Sequence, residues 1–286
     1  MRVLAANIED VMREAAARWT LVAYFFLSTV FIIIFAFAIN LDIVDGALAG
    51  AQLFGKDVGP RGNSSPISVE QLVLGFNTGF SGFLYFICTF LAIFATAHLV
   101  PRMQEKGTID LYLARPVGRV GLLLSRYVAG LILAATNVIY LMGSMWLIVA
   151  WKTHVYSARF LMGGSIIFLV IATLLAFAFL VGVFTSSTAV SIMTTYGIFF
   201  FGLALAGHES FAAAVSKEWQ AHLINGMYWV FPKTSDLFQA VVAYVGGQQI
   251  AGPMMKHLTP APFVTTAAFG IACLALASWL FTKKEF

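Results

Sequence analysis

The residues from Phe160 to His208 form one uninterrupted stretch without Asp, Glu, Lys or Arg. As a single helix this stretch would be about 74 Å long, because each helical residue advances about 1.5 Å. The hydrocarbon layer of a bilayer is only about 30 Å thick, so the stretch must fold back on itself inside a membrane. The small polar residues Thr185-Ser186-Ser187-Thr188 mark the predicted turn. The stretch therefore predicts two membrane-spanning helices, near 160–184 and 189–206.

Four further apolar segments have the length of about 20 residues that is needed to cross the hydrocarbon layer. The composition agrees with a membrane protein, since 60% of the residues are hydrophobic and only 10% are charged. A scattered net charge of +4 argues against a nucleic-acid partner. The sequence predicts an all-α integral membrane protein with six transmembrane helices in a single domain over residues 1–286. The four further segments are 20–40, 69–98, 127–151 and 263–282.

The longest polar interruption on one side of the chain is residues 99–126, between the second and third spans. It contains five Lys and Arg residues and two acids. Thr108 follows a helix-breaking glycine and can cap a new helix, and Asp110 in the first turn suits the helix dipole. Pro116 ends this helix, because it disfavours helical geometry at the residue before it. The pattern predicts a short helix over residues 109–114 on the membrane surface.

The same loop carries a resemblance to a known family. The pattern Glu105-Lys106-Gly107-Thr108, then Leu111 and Leu113, then Arg115-Pro116-Val117-Gly118-Arg119 resembles the loop after the second span of ABC-2 type permeases. Those proteins are the membrane subunits of ATP-binding-cassette exporters. In that family the loop forms a coupling helix that docks in a groove of a separate ATPase subunit. The alternative is an ordinary cytosolic loop that is basic only because of membrane topology.

The resemblance implies that this chain is the permease of an ATP-driven exporter. ATP and magnesium would bind to the partner ATPase subunit, and this chain would hold no cofactor, metal or catalytic residue of its own. Two copies, or this chain and a sister permease, would line a central path through the bilayer. The residues implied to couple the chain to the ATPase are Arg102, Glu105, Lys106, Gly107, Thr108, Asp110, Leu111, Arg115, Pro116 and Arg119.

Two other functional motifs are incomplete. Residues 50–57 nearly form a phosphate-binding loop, but Asp57 stands where a hydroxyl group must bind magnesium. Gly79-Phe80-Ser81-Gly82 matches the G-x-S-G motif of rhomboid intramembrane proteases, which need a histidine on a later span to activate the serine. The later spans contain no histidine. An intramembrane serine protease stays an alternative function, as does an ion-coupled secondary transporter.

The spans contain no acidic or basic residue at mid-depth. A charge there costs about 2.5–3.5 kcal/mol on insertion scales, and ion-driven carriers retain such groups for coupling. Their absence favours an exporter driven by ATP and suits an amphipathic or lipid-like substrate. The polar residues within the spans that are candidates for the path are Asn77 and Asn137.

The segments outside the spans predict two further kinds of helix. Residues 1–19 have apolar side chains at helical spacing, which predicts an amphipathic helix in the membrane interface. Residues 207–262 contain two apolar pieces, 219–231 and 237–245, that are too short to cross a bilayer. They predict re-entrant helices before the last span; in the family that the chain resembles, such helices cap the outer mouth of the path.

The distribution of positive charge predicts the orientation. Six spans place both termini on one side, and that side, with the 99–126 loop, carries ten of the 17 Lys and Arg residues in much the shorter total length. Cytoplasmic loops carry this excess, so we expect both termini and the loop in the cytosol. Arg126, at the cytosolic end of the third span, can extend its side chain to the interface. The expected location is the plasma membrane, a bacterial or archaeal inner membrane, with multiple passes.

Overall fold

The computed structural model describes residues 9, 13, 19–44, 47–53, 56–57, 69–104, 118–215, 217–255 and 259–284. Five of its helical segments are long and apolar enough to cross a membrane, and a shorter apolar helix covers Val22–Phe37. The helices are α1 (Trp19–Ala38), α2 (Val69–Thr96), α3 (Leu99–Met103), α4 (Arg119–Thr153), α5 (Ala158–Thr185), α6 (Thr188–Ala204), α7 (His208–Ala214), α8 (Glu218–Val230), α9 (Thr234–Met255) and α10 (Ala261–Lys283).

The prediction of an all-α integral membrane protein is confirmed. Helices α1, α2, α4, α5, α6 and α10 correspond to the six predicted spans. The first of them has 20 residues and is therefore about 30 Å long, which matches the hydrocarbon thickness. We call the end of the bundle that carries residues 99–104, 118–119, 185–187 and 283–284 the basic end. The end that carries residues 154–157, 205–217 and 259–260 is the opposite end.

Helix α5 is the centre of the bundle. It packs against α2, α4, α6, α9 and α10. Its 28 residues include only one charged side chain, Arg159 in the first turn, so it can bury apolar residues on most of its surface. The predicted turn after it is confirmed: Ser186 adopts a left-handed conformation with φ 53°, and the Ser187 hydroxyl accepts the backbone N–H of Val190 at the start of α6.

The loop between the second and third spans is shorter than predicted. Residues 99–103 form the helix α3, and α4 begins at Arg119 rather than near Tyr127. The predicted boundary of 126 was wrong because α4 continues for about two more turns toward the basic end, where Leu122 and Leu123 are buried in the protein. Residues 105–117, with the helix predicted at 109–114, lie outside the described residues.

The two helices predicted before the last span are present, but they differ in environment. No residue of α8 is buried, whereas α9 packs against α2, α5 and α6. Helix α9 is also longer than the predicted piece 237–245, since it continues to Met255. The apolar pattern stops at Gly246-Gly247, and Gly247 has a positive φ of 60° with the Arg159 guanidinium directly against it. A side chain at this position would collide with that arginine.

The break between α8 and α9 lies inside the bundle, beside the middle of α2. The Tyr85 hydroxyl donates to the Thr234 carbonyl at 2.6 Å, and the Lys233 N–H donates to the Thr266 hydroxyl at 3.2 Å. The Thr234 hydroxyl donates to the Phe199 carbonyl at 3.0 Å. The Thr266 hydroxyl thus pairs a backbone N–H at the break, and the bonds from Tyr85 and to Phe199 hold the first residue of α9 against two more spans.

Lys233 is only 3% exposed although it carries a charge. Its ammonium lies 4.0 Å from the ring centroid of Trp229 and 4.5 Å from that of Tyr228, both on α8. Attraction to the two ring faces compensates part of the lost hydration. The lysine thus fixes α8 to the start of α9.

The segment between α1 and α2 contains a small antiparallel sheet where the sequence predicted only a polar loop. Strands β1 (Ile39–Val44), β2 (Ala47–Leu53) and β3 (Lys56–Asp57) pair in the order β1-β2-β3. The signal was present in the sequence, because polar and apolar residues alternate over 39–43 and Asp45-Gly46 is a typical hairpin dipeptide.

Only Glu9 and Arg13 are described in the segment predicted to lie in the membrane interface. Both are helical and exposed, and they form an ion pair one helical turn apart. The other residues of 1–18 lie outside the described residues.

Gly202 should be the most sensitive glycine of the α6–α9 contact. A Cβ there would lie 2.5 Å from the Thr234 hydroxyl and 2.6 Å from the Pro232 carbonyl oxygen. We expect Gly202→Ala to cost about 1–3 kcal/mol, because the backbone carbonyl cannot move aside without disturbing the break. The matched control is Gly197→Ala on the same helix, where no atom lies within 4 Å. Thermal unfolding of both variants in detergent checks this; equal shifts in Tm would contradict it.

Candidate functional site

Two of the ten residues expected to contact an ATPase are among the described residues. Arg102 lies on α3 and is exposed, and Arg119 is the first residue of α4 and is half-buried. The remaining eight lie outside the described residues. They are Glu105, Lys106, Gly107, Thr108, Asp110, Leu111, Arg115 and Pro116.

The first end of the 105–117 loop is held by Gln104. Helix α3 leads to it with Leu99, Val100 and Met103 buried. The Gln104 side-chain amide donates to the Gly182 carbonyl at 2.9 Å, and its oxygen accepts the Ser186 hydroxyl at 3.0 Å. Gly182 and Ser186 belong to the end of α5 and the turn after it. The start of the loop is therefore fixed to the α5–α6 turn.

The second end of the loop is held by Arg119. Its guanidinium donates to the Thr282 carbonyl at 3.2 Å and to the Lys284 carbonyl at 2.7 Å. These are carbonyls at the C-terminal end of α10, which have no partner within the helix and favour a nearby positive charge. The end of the loop is therefore fixed to α10.

Arg126 connects α4 to the start of α3 inside the bundle. It is 2% exposed, and its guanidinium donates at 3.1 Å to the carbonyl of Leu99, the first residue of α3. The expectation that it extends to the interface was wrong. The side chain instead stays inside the protein, where the Leu99 carbonyl accepts one of its N–H groups.

The two path candidates do not share a cavity. Asn137 on α4 is 0% exposed, and its amide donates at 2.8 Å to the Ser28 hydroxyl on α1, which in turn donates to the Tyr24 carbonyl. Asn77 on α2 is also buried, but it lines a cavity of about 380 Å³ together with Glu70, Tyr156 and Arg159, toward the opposite end. The structure assigns Asn137 a contact between spans.

Ser81, the serine of the protease alternative, is fully buried. Its hydroxyl donates at 2.8 Å to the Thr78 carbonyl within the same helix. His98 lies at the far end of the α2–α3 segment. Within the described residues, the serine therefore has the geometry of a packing residue, without a histidine beside it to activate it.

The comparison with protein families decides the identity. A family model described as ABC-2 family transporter protein matches residues 10–286, nearly the whole chain. The chain belongs to the ABC-2 transporter family. The family that the pattern in residues 99–126 indicated is thereby confirmed. A search of curated proteins found no match.

Membership in the family implies the permease component of an ABC transporter, a multi-pass membrane protein. Permeases of this family typically work with an ATP-binding-cassette ATPase, and the ATPase site lies in that subunit. At the basic end of this permease, Gln104 and Arg119 are each hydrogen-bonded to other spans.

Sequence analysis missed Gln104, Ser186 and Lys284 as parts of this site. Gln104 is the last residue before the charged pattern, and Lys284 is an ordinary lysine after a span. No local pattern indicates that these two residues meet, since they are separated by 180 positions. Only the packing of α3 and α10 beside α5 brings them together.

The Ser28–Asn137 hydrogen bond should contribute to the stability of the permease. Side-chain hydrogen bonds between spans average about 0.6 kcal/mol and reach about 1.7 kcal/mol. We expect a coupling energy in this range from a double-mutant cycle of Ser28→Ala and Asn137→Ala, measured by unfolding in mixed micelles. Strictly additive variants would contradict the contact.

Proposed function

We propose that this permease is the membrane subunit of an ATP-driven exporter. A separate ATPase subunit, which binds ATP and magnesium, docks on residues 102–119. A second copy of this chain, or a sister permease, completes the path, and an amphipathic or lipid-like substrate leaves the cytosol or the inner leaflet. The observation that carries the proposal is that Gln104 and Arg119, which flank residues 105–117, are both hydrogen-bonded to other spans.

Anchored ends are what a coupling loop needs. If the loop contacted the bundle only through its two covalent connections, a partner could displace the loop without moving the spans. Gln104 instead connects the loop to the α5–α6 turn, and Arg119 connects it to α10. Hydrogen-bond networks and rigid helices of this kind carry coupling between distant sites. A displacement of the loop therefore moves three spans together.

The proposed orientation places the basic end in the cytosol. Arg102, Arg119, Lys283 and Lys284 lie there, close to the loop that carries further basic residues. Positive charge is retained on the cytoplasmic side of membrane proteins, which supports cytosolic termini. The corresponding location is the plasma membrane of a bacterium or archaeon.

The substrate class follows from the interior of the spans. The central turns of the six apolar helices carry no acidic or basic side chain. Lys233 is a buried charge inside the bundle, but it lies at the break between α8 and α9, where its ammonium is held by the rings of Tyr228 and Trp229. An ion-driven carrier needs titratable groups along its spans, whereas an exporter that takes its energy from a partner does not. Helices α6 and α10 also bury much less of their surface within the chain than α2 does, which supports a neighbouring permease or lipid beside them.

The assembly is tested by purifying the tagged permease from the membranes of its source into lipid nanodiscs. We expect an ATP-binding-cassette subunit to co-purify and to hydrolyse Mg-ATP in a vanadate-sensitive way. A photo-crosslinker at Leu111 should capture this subunit, whereas one at Ala206, at the opposite end, should not. Absence of the subunit, or hydrolysis by the permease alone, would overturn the assembly.

The substrate class is tested separately in proteoliposomes of the purified complex. ATP added outside drives only those complexes whose ATPase subunits face outward. A short-chain phospholipid with a fluorescent headgroup should then move to the inner leaflet and become protected from dithionite. Movement that continues after ATP depletion would point to an ion-driven carrier. A lack of ATP-dependent movement, in a complex that hydrolyses ATP, would refute the lipid-like substrate.

The fluorescent phospholipid should stimulate ATP hydrolysis by the complex. Arg119→Ala should reduce this stimulated hydrolysis more strongly than Arg102→Ala does. Arg119 donates to two carbonyls of α10, and loss of a partly buried charged donor leaves those carbonyls unpaired. Arg102 is exposed, and an exposed charge contributes only about 0–1 kcal/mol. The measurement is the hydrolysis rate of each assembled complex with and without the fluorescent phospholipid. Equal losses in the two variants would mean that only the total positive charge matters.

A further inference from the structure

Lys284, the first residue after α10, connects the two anchors of the loop. Its ammonium donates to the Gln104 side-chain oxygen at 2.6 Å, to the Val183 carbonyl at 2.7 Å and to the Ser186 hydroxyl at 2.7 Å. Its own carbonyl accepts the Arg119 guanidinium at 2.7 Å. The side chain of this lysine therefore holds the first end of the loop, and its backbone holds the second.

The acceptors around the ammonium show that the site orients the lysine. All three are neutral oxygens, and they come from two different parts of the chain, α3 with Gln104 and the α5–α6 turn. Gln104 and Ser186 are also hydrogen-bonded to each other at 3.0 Å. Burial lowers the pKa of the Lys284 ammonium below that of an exposed lysine. The three donors of one ammonium thus bind a preformed set of acceptors.

We propose that Lys284 is a positioning residue for coupling: it keeps both ends of the 105–117 loop in a fixed relation to α5, α6 and α10. Motion that the ATPase subunit imposes on the loop then reaches these spans without being lost at the loop ends. The inference rests on the proposed function and adds a residue to it. It assigns a role to the C-terminal end of the last span, which the coupling pattern of residues 102–119 does not include.

The neighbouring Lys283 supplies a matched control. It carries the same charge at the same end of the same helix, but its ammonium lies over the Trp279 ring at 4.1 Å from the centroid. Trp279 is exposed and belongs to α10 itself. Removal of Lys283 therefore changes the charge near the membrane surface as much as removal of Lys284 does, while the hydrogen bonds of Lys284 to the loop ends are kept.

The experiment measures fluorescent phospholipid transported per ATP hydrolysed, in proteoliposomes that contain the permease assembled with its ATPase subunit. Lys284→Met should lower this ratio about 5-fold or more, the lower end of the range typical of coupling between sites. Lys283→Met should retain the ratio of the unmodified complex. A purely structural role would change the amount of assembled complex and leave the ratio per ATP intact.

A second variant tests the proposal if the Lys284→Met permease does not assemble with the ATPase subunit. Gln104→Leu removes the acceptor of this hydrogen bond, together with the Gln104 contacts to Gly182 and Ser186, and leaves the end of α10 unchanged. It should lower the same ratio, and the double variant should lose little more than either single one, because both remove the same link. Additive losses would indicate two independent effects and would overturn the proposal.

The outcomes separate this inference from the function on which it rests. If no ATPase subunit assembles with the unmodified permease, the proposed function fails. If the unmodified complex transports the phospholipid but Lys284→Met and Lys283→Met have equal ratios, only the role of Lys284 is overturned. A lower ratio for Lys284→Met and Gln104→Leu, with an unchanged ratio for Lys283→Met, supports it.

Discussion

The constraint on which the structure depends is that lipid offers no hydrogen-bond partner to the polypeptide backbone. Inside a bilayer each N–H and C=O must be satisfied within the protein, so the chain is helical wherever it faces lipid. At the break over residues 231–233 the Thr266 hydroxyl of α10 accepts the Lys233 N–H, and Tyr85 and Phe199 bond to Thr234 at the start of α9. The same rule explains why these polar residues occupy otherwise apolar helices.

The basic end follows the same rule with charged donors. Arg119 and Lys284 donate to backbone carbonyls at the C-terminal ends of α10 and α5. Such carbonyls lack partners in the helix, and a positive charge beside them is favourable. The positive charges at this end thereby stabilise the packing of α3, α5 and α10.

The spans could be predicted because burial in lipid needs apolar composition over a fixed length, which is a local property. The start of α4 at Arg119 could not, because the two leucines that continue the helix toward the basic end are buried by tertiary contacts. The length of α9 was underestimated because Gly247, which has a positive φ, interrupts the apolar pattern without ending the helix. At the site, the family pattern indicated Arg119, but the contact between Gln104 and Lys284 depends on tertiary packing that no local pattern contains.

Helix α10 takes part in both unusual regions of the bundle. Near its first turns the Thr266 hydroxyl accepts the N–H of Lys233, at the break between α8 and α9. Beyond its last turn Lys284 holds the ends of the loop. Between these points Gly270 lets α10 approach the backbone of α5 closely at Thr173, so the two helices are locked together. The 23 residues of α10 extend about 34 Å, which is close to the bilayer thickness. One continuous helix therefore joins Lys284 and its partners at the basic end to the α8–α9 break inside the bundle.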